Sequence, residues 1–427
     1  MVTQVEQAAN AFPSWRSIPA PRRGEILFRF AELLKSQKEE LAALITVEMG
    51  KLPLEAGGEV QEAIDMAYYM AGEGRRSFGQ TVPSELPDKF AMSLREPVGV
   101  VAMITPWNFP VAVPSWKLLP ALVLGNTVVW KPSPRTPQCA ARLVELLTEA
   151  GLPAGVVNVV NGGSEVGEAL VRAPQVRLVT FTGSNAVGRR VAVACAELGK
   201  RCALELGGKN AIIVLDDADL DLAVDGIVWS AFGTGGQRCT SCSRVIVHQA
   251  VRAKLTEMLV ARVKQLQIGP LIDAAATQRC EEFVREAVAA GARRLTTGPT
   301  LLDNVTPAMR VAQEEIFGPV CVIIEVGSPE EAARVNNDVP YGLSSSIYTR
   351  DVNRAFVALR ELTTGIVYVN AGTTGSEVQL PFGGTRGTGN GAREAGQAAL
   401  DTFSEWKTVY VDYSGRLQRA QIDTSPA

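Results

Sequence analysis

Apolar residues recur along this chain with two different periods, and the change between them divides it. Over residues 21–51 the spacing is helical: Ile26, Leu27, Phe30, Leu33 and Leu34 share one face at 3.6-residue intervals, polar and charged residues fill the other, and a proline opens the run. From Gly99 onward short, nearly unbroken apolar runs take over, namely VGVVAMI, NTVVW, VVNVV, VRLVTFT and CALEL, several of them separated by helical stretches. One such stretch, residues 136–150, stops at Gly151, a favoured C-terminal cap. Strands that are apolar on both faces and alternate with helices predict a parallel sheet covered on both sides. A second α/β block follows, with strands near 244–248, 320–325 and 365–369. Residues 81–97 alternate only loosely around Pro83, Pro87 and Pro97, as an excursion from the main fold would.

Composition narrows the function classes. Hydrophobic residues make up 46% and charged residues 20%, with a formal net charge of −3, which describes a soluble globular protein with no basic excess for nucleic acid. No apolar run reaches membrane-spanning length, and nothing near the N-terminus reads as a secretory signal. The seven cysteines are odd in number and irregularly spaced, so a reducing cytoplasm is the expected compartment. The single histidine, His248, is nine positions beyond Cys239, about 25 to 30 Å along an extended strand. A Cys/His dyad and a histidine-based zinc site are therefore not expected, and no metal site is assigned.

The densest chemistry lies at residues 232–244, FGTGGQRCTSCSR, where Cys239 follows a glycine-rich turn and precedes a strand-like run. A thiol presented that way is a candidate nucleophile. Taken alone, it is equally a buried structural cysteine, or half of a CxxC pair with Cys242 suited to thiol–disulfide exchange. Five other segments accompany it in order: ITPWNFP with Asn108, KPSPRTP with Lys131, LELGGKN with Glu205, EEIFGPV over 314–320 and PFGG over 381–384. The usual GxGxxG dinucleotide fingerprint is absent, and FTGSNAVG is the nearest glycine-bearing turn between a strand and a helix.

This set of motifs resembles the aldehyde dehydrogenase superfamily, over nearly the whole chain from about residue 8 to about residue 408. The resemblance implies an α/β fold with a Rossmann-type cofactor domain (1–78 and 98–207), a second α/β catalytic domain (208–404), and a small β oligomerisation element with the C-terminal tail (79–97 and 405–427). It implies a homodimer or homotetramer, and a small-molecule aldehyde as substrate. Cys239 would be the nucleophile, the Asn108 amide and the Cys239 N–H would stabilise the oxyanion, and Glu205 would activate the water that hydrolyses a thioester. For NAD or NADP, Lys131 would hydrogen-bond the adenosine ribose, Ser184 would lie near the pyrophosphate, and Glu315 would hold the nicotinamide ribose. Phe317 would pack beside the nicotinamide ring, and Ser133, Gly183, Thr105 and Trp107 would be further cofactor-binding residues.

The same resemblance assigns Phe109, Trp116 and Phe382 to the substrate tunnel. Gly233 and Ser376 stand where relatives with apolar substrates often carry aromatic residues, which implies a wider and more polar pocket. TTGSEVQLPFGG resembles the anchor loop of relatives acting on amino-acid semialdehydes, so Gly375, Ser376 and Thr240 are expected to hold a substrate carboxylate. Where many NAD-preferring relatives place a glutamate, this chain has Pro134 followed by Arg135, which removes a barrier to NADP. It departs from the family pattern in a late N-terminal start, a missing loop within KQLQIGPLI and a short TTGPTLL. A broad-specificity aldehyde dehydrogenase, a CoA-acylating enzyme and a non-catalytic module keeping the fold are the alternatives; Glu205 argues against the second.

Overall fold

The apolar runs form the five-stranded sheet that their pattern predicts. In the computed structural model, which describes residues 1–423, its strands lie in the order Val157–Val159, Thr127–Lys131, Val100–Ile104, Val176–Thr182, Arg201–Glu205, and every neighbouring pair is parallel. Val100–Ile104 and Thr127–Lys131 are buried at every position. Chain direction across the sheet reverses between Val100–Ile104 and Val176–Thr182, and a crevice at the carboxyl ends of such strands is where open α/β sheets bind ligands.

A second, seven-stranded sheet runs Arg293–Arg294, Thr300–Asp303, Val320–Val326, Cys242–His248, Asn210–Val214, Ser344–Tyr348, Ile366–Val369, parallel except at its first pair. Three of these strands were expected; Asn210–Val214, Ser344–Tyr348, Thr300–Asp303 and the two-residue Arg293–Arg294 were not. The excursion and the C-terminus form a separate antiparallel sheet, Thr81–Val82, Lys89–Pro97 and Ser404–Asp412, paired in register from Lys89↔Asp412 to Pro97↔Ser404. The last four positions of the expected tail, 424–427, lie outside the described residues.

The helix expected over 21–51 is two helices, Ala20–Ser36 and Lys38–Met49, because Gln37 leaves helical geometry at φ −105° and ψ 14°. The break re-aims the second apolar face, so that Leu27, Phe30 and Leu34 from one piece and Leu41 and Ile45 from the other join the core around Pro53–Glu73. The expected stop at Gly151 is present, with φ +98° just past Pro137–Glu149.

Candidate active site

Carboxyl ends of the first sheet meet amino ends of the second, and the sequence motifs are the loops at this junction. Cys239 lies on the loop leading into Cys242–His248. Thr234, Gly235 and Gly236 before it all have positive φ, and a Cβ on Gly236 would sit 2.3 Å from the Gly318 carbonyl oxygen, so the tight turn requires its glycines. Asn210 fixes the loop from beneath: its side-chain amide donates to the carbonyl oxygens of Cys239 (2.7 Å) and Ser241 (2.9 Å) and accepts from the Ser344 N–H (3.0 Å). A Cβ on Gly208 would come within 2.4 Å of the Cys239 carbonyl oxygen, which explains the second glycine of LELGGKN.

The Cys239 thiol is pushed up to about 12, first by burial and then by the Glu315, Glu205 and Glu394 carboxylates. Cys242 turns away from it, buried, with its thiol on the Arg244 carbonyl oxygen at 3.4 Å, and all seven cysteines are free. The weighed CxxC exchange has no bonded pair here. His248 caps the helix Gln249–Val263 at the far end of the same strand.

Asn108 follows Val100–Ile104 and is 5% exposed. Its side-chain amide donates to the Gln237 carbonyl oxygen at 3.0 Å, tying the ITPWNFP loop to the cysteine loop and leaving its second N–H for another acceptor. Lys51 holds the Asn108 backbone through a 2.9 Å bond to its carbonyl oxygen, and is itself paired with Glu59, which accepts from the Val111 (2.8 Å) and Ala112 (3.2 Å) N–H groups.

Glu205 ends Arg201–Glu205, is 4% exposed and leaves Oε1 without a hydrogen-bond partner among the described residues. Burial and then Glu394 hold its carboxyl well above the ordinary range, while Lys117 and Arg393 pull the other way. Lys117 donates to Thr180 Oγ1 (2.9 Å) and pairs with Glu394. A Cβ on Gly383 would stand 2.9 Å from Glu205 Oε1, so the PFGG glycine makes room for the carboxylate.

A cavity of about 580 Å³ opens between the helices Ser164–Arg172 and Asn185–Glu197, lined by Ile104, Lys131 and Phe181 from the strand ends and by Arg189 and Arg190. Lys131 Nζ is held there only by carbonyl oxygens, those of Pro132 and Gly162 at 3.0 Å, and burial lowers its pKa. Ser133 accepts from the Arg135 N–H, and Thr105 accepts from the buried Trp130 indole at 2.9 Å. Ser184 caps Asn185–Glu197, and Gly183 is crowded by the Phe181 ring, 2.6 Å from a built Cβ. Glu315 accepts from the Gly208 N–H at 3.0 Å and is pushed up to about 7 by burial. Phe317 sits in the left-handed region at φ +59°, its ring edge-on to Trp107 at 5.7 Å, a strained conformation for a non-glycine residue.

Of the tunnel residues, Trp116 and Phe382 pack edge to face at 4.9 Å, and Phe109 lies beneath Lys51 Nζ at 3.6 Å. Thr240 accepts through its carbonyl from Thr373 Oγ1 at 2.7 Å. Gly375 has φ +100° with nothing within 4 Å of a built Cβ, and Ser376 shares a hydrogen bond with the Tyr368 hydroxyl at 3.1 Å. Asn210, Gln237, Lys51, Glu59, Glu394, Tyr368 and Arg238 were not singled out from sequence. Lys117 carried a readable signal, a lone charge in the almost wholly buried helix Ala112–Leu124.

The model of the Aldehyde dehydrogenase family matches residues 2–409. The alpha-ketoglutaric semialdehyde dehydrogenase of Bacillus subtilis (strain 168) is 42% identical over 433 residues, covering 95% of this chain and 89% of the relative. An NADP dependent enzyme of E. coli superposes with a TM-score of 0.93 at 37% identity, covering 96% of this chain and 89% of the other. Betaine aldehyde dehydrogenase from Staphylococcus aureus, in complex with NAD+, superposes at 0.94 with 32% identity, covering 97% and 87%. With the two-sheet architecture matched across almost the full length in both sequence and structure, the chain belongs to the aldehyde dehydrogenase family and is an oxidoreductase acting on aldehydes.

Proposed function

We propose that the protein oxidises a semialdehyde, an aldehyde carrying a distal carboxylate, to the dicarboxylic acid, with NAD or NADP as hydride acceptor and Cys239, Asn108 and Glu205 as its catalytic groups. The observation that carries this reading is the convergence of three separate segments on one buried point: the Asn108 amide bonded to the cysteine loop, the Cys239 thiol, and, at the end of Arg201–Glu205, a Glu205 oxygen with no hydrogen-bond partner among the described residues. The Cys239 sulfur forms a C–S bond to the aldehyde carbon as its proton leaves, and the carbonyl oxygen becomes an oxyanion that the free Asn108 N–H and the Cys239 backbone N–H stabilise. Nicotinamide held by the residues below would accept the hydride from the adduct carbon, so that Cys239 would be left carrying a thioester. Glu205 then takes a proton from water, the hydroxide attacks the thioester, and the acid departs as the thiol is restored.

Lys131, in a cavity where its ammonium is hydrogen-bonded to backbone oxygens and faces the Glu165 carboxylate, suits an adenosine ribose, and Glu315, a buried carboxylate with one bond from Gly208, suits ribose hydroxyls as donors. Ser133, Gly183, Ser184, Thr105, Trp107 and Phe317 complete the cofactor set. With Pro134 in place of a carboxylate, both nucleotides are accepted. The five-stranded, seven-stranded and antiparallel three-stranded sheets support the division into a cofactor domain, a catalytic domain and an oligomerisation element, and the free cysteines support a reducing compartment. The substrate class is supported by the named activity of the Bacillus subtilis relative and by the non-aromatic Gly233 and Ser376.

The test is absorbance of reduced cofactor when the protein meets glutaric semialdehyde or pentanal with NAD or NADP. Turnover is expected with both nucleotides and a clear preference for the semialdehyde. Glu205→Gln should give a burst of reduced cofactor followed by slow release, and Cys239→Ala none; equal turnover in Cys239→Ala refutes the mechanism.

A further inference from the structure

The charged pair Lys51 and Glu59 lies outside every motif that carries the chemistry, yet both side chains serve the loop that presents Asn108. We propose that Lys51 and Glu59 are positioning residues that clamp residues 108–112 and so hold the Asn108 amide where the oxyanion forms. This rests on the reading of Asn108 as an oxyanion donor and names the groups that aim it.

Both side chains are fully buried, Lys51 just before the helix Pro53–Glu73 and Glu59 within it. Taking two charges out of water is costly, and neutral residues of similar volume often stabilise a fold as well or better, so stability alone does not account for the pair. Its hydrogen bonds do. Lys51 Nζ donates to the Asn108 carbonyl oxygen at 2.9 Å and to Glu59 Oε2, and lies 3.6 Å from the centre of the Phe109 ring. The other Glu59 oxygen, Oε1, accepts from the N–H groups of Val111 at 2.8 Å and Ala112 at 3.2 Å.

Those two residues are the cap and the first position of the helix Ala112–Leu124, and Val111 has no side-chain group that could cap it. A carboxylate from another helix supplies the missing acceptor, where the helix dipole also favours a negative charge. One ion pair thereby grips the segment at the Asn108 carbonyl and again at the N–H groups three and four residues on. Beyond the clamp, the Asn108 side-chain amide reaches the Gln237 carbonyl oxygen at 3.0 Å. With the backbone held by Lys51 and one amide N–H held by Gln237, the direction of the second N–H is set.

The other charges that face Lys51 are Arg238 and Glu62, and no hydrogen bond joins either to the pair among the described residues. Arg238 is turned to Thr234 Oγ1 at 2.9 Å. Lys51 and Glu59 therefore act on the loop as a unit, and neutralising both together removes the clamp without leaving one buried charge unpaired.

The experiment measures kcat/KM for glutaric semialdehyde at saturating cofactor in a cycle of wild type, Lys51→Met with Glu59→Gln, Asn108→Ala, and all three substitutions together. The paired substitution should lower kcat/KM about tenfold to a hundredfold when Asn108 is present, the scale on which a small misplacement of a catalytic group acts. In the Asn108→Ala background it should cost less than about threefold, because the group it positions is gone. Fluorescence of bound reduced cofactor, which should be unchanged throughout, reports folding independently of the chemistry. Lys51→Arg, which keeps the charge and a donor, repeats the cycle with a smaller perturbation and should show a smaller loss that likewise disappears with Asn108→Ala. A loss of equal size in both backgrounds, or no loss at all, overturns the positioning role and leaves the oxyanion reading standing. An Asn108→Ala protein with wild-type kcat/KM overturns both.

Discussion

The protonation of Cys239 gives a quantitative prediction. With the thiol near 12, about one molecule in ten thousand carries a thiolate at pH 8, against roughly a quarter for an ordinary cysteine near 8.5. A more basic thiolate is also a better nucleophile, which recovers roughly fortyfold over such a difference. The net expectation is alkylation by iodoacetamide about fiftyfold slower than for an unperturbed cysteine at pH 8. Because the thiol titrates near 12, the logarithm of the rate should climb by one unit per pH unit from pH 8 to 10 without levelling. Cys202 supplies a reference in the same tube: it is drawn down to about 7, chiefly by a hydrogen bond from Cys195, so its rate should level off above pH 8. Burial is the largest cause at Cys239 and Glu315 the next, so Glu315→Gln should speed its labelling several-fold. Peptide mass spectrometry resolves the two sites. A Cys239 rate that levels off below pH 9, or one unchanged by Glu315→Gln, would refute the electrostatic account of this site.

Asn108→Ala should lower kcat about a hundredfold to a thousandfold, the usual cost of losing one oxyanion donor, with the stability change measured separately by thermal unfolding. Because the same side chain also ties two loops together through Gln237, Asn108→Asp distinguishes the roles: a negative acceptor in place of the donor should abolish turnover even if the fold survives. The outer edge of Ser404–Asp412 has no strand partner among the described residues, and Trp406 and Tyr410 on that strand are 51% and 65% exposed. An open edge with exposed aromatics calls for a partner, so light scattering should report a homodimer or homotetramer, and Trp406→Glu with Tyr410→Lys a smaller species. A wild-type protein that stays monomeric at every concentration contradicts this.

Much of the first sheet could be read from sequence because its signal is local: five short apolar runs became its five strands, two of them buried at every position. The break at Gln37 could not, since the periodicity of Ile26 to Leu34 continues in phase long enough to hide it and only packing on Pro53–Glu73 demands the change of direction. Ser344–Tyr348 escaped for a related reason. SSSIY is buried at every position, but three serines do not read as a core strand until their partners are known: Ser344 Oγ bonds the Thr373 carbonyl and Ser345 Oγ the Asn336 side chain.

The site divides along the same line. Cys239, Asn108, Glu205 and Lys131 were visible as candidates because each sits in, or at the strand end that opens, a short loop carrying glycine or proline, so the motif is written within a few residues. What tunes them is not local. Glu394 raises the Glu205 carboxyl and holds Lys117 across 277 positions of sequence, and Asn210 secures a cysteine 29 positions away. Arg238 stood beside the nucleophile in plain view, but its meaning depends on what surrounds the guanidinium. Its guanidinium lies 5.6 Å from the Phe109 ring centroid, 5.0 Å from that of Trp229 and 3.9 Å from Glu55 Oε1, and Nε donates to Thr234 Oγ1. None of these four neighbours is implied by the residue itself, which is why a candidate nucleophile can be found from its motif while the groups that surround it have to be found from the structure.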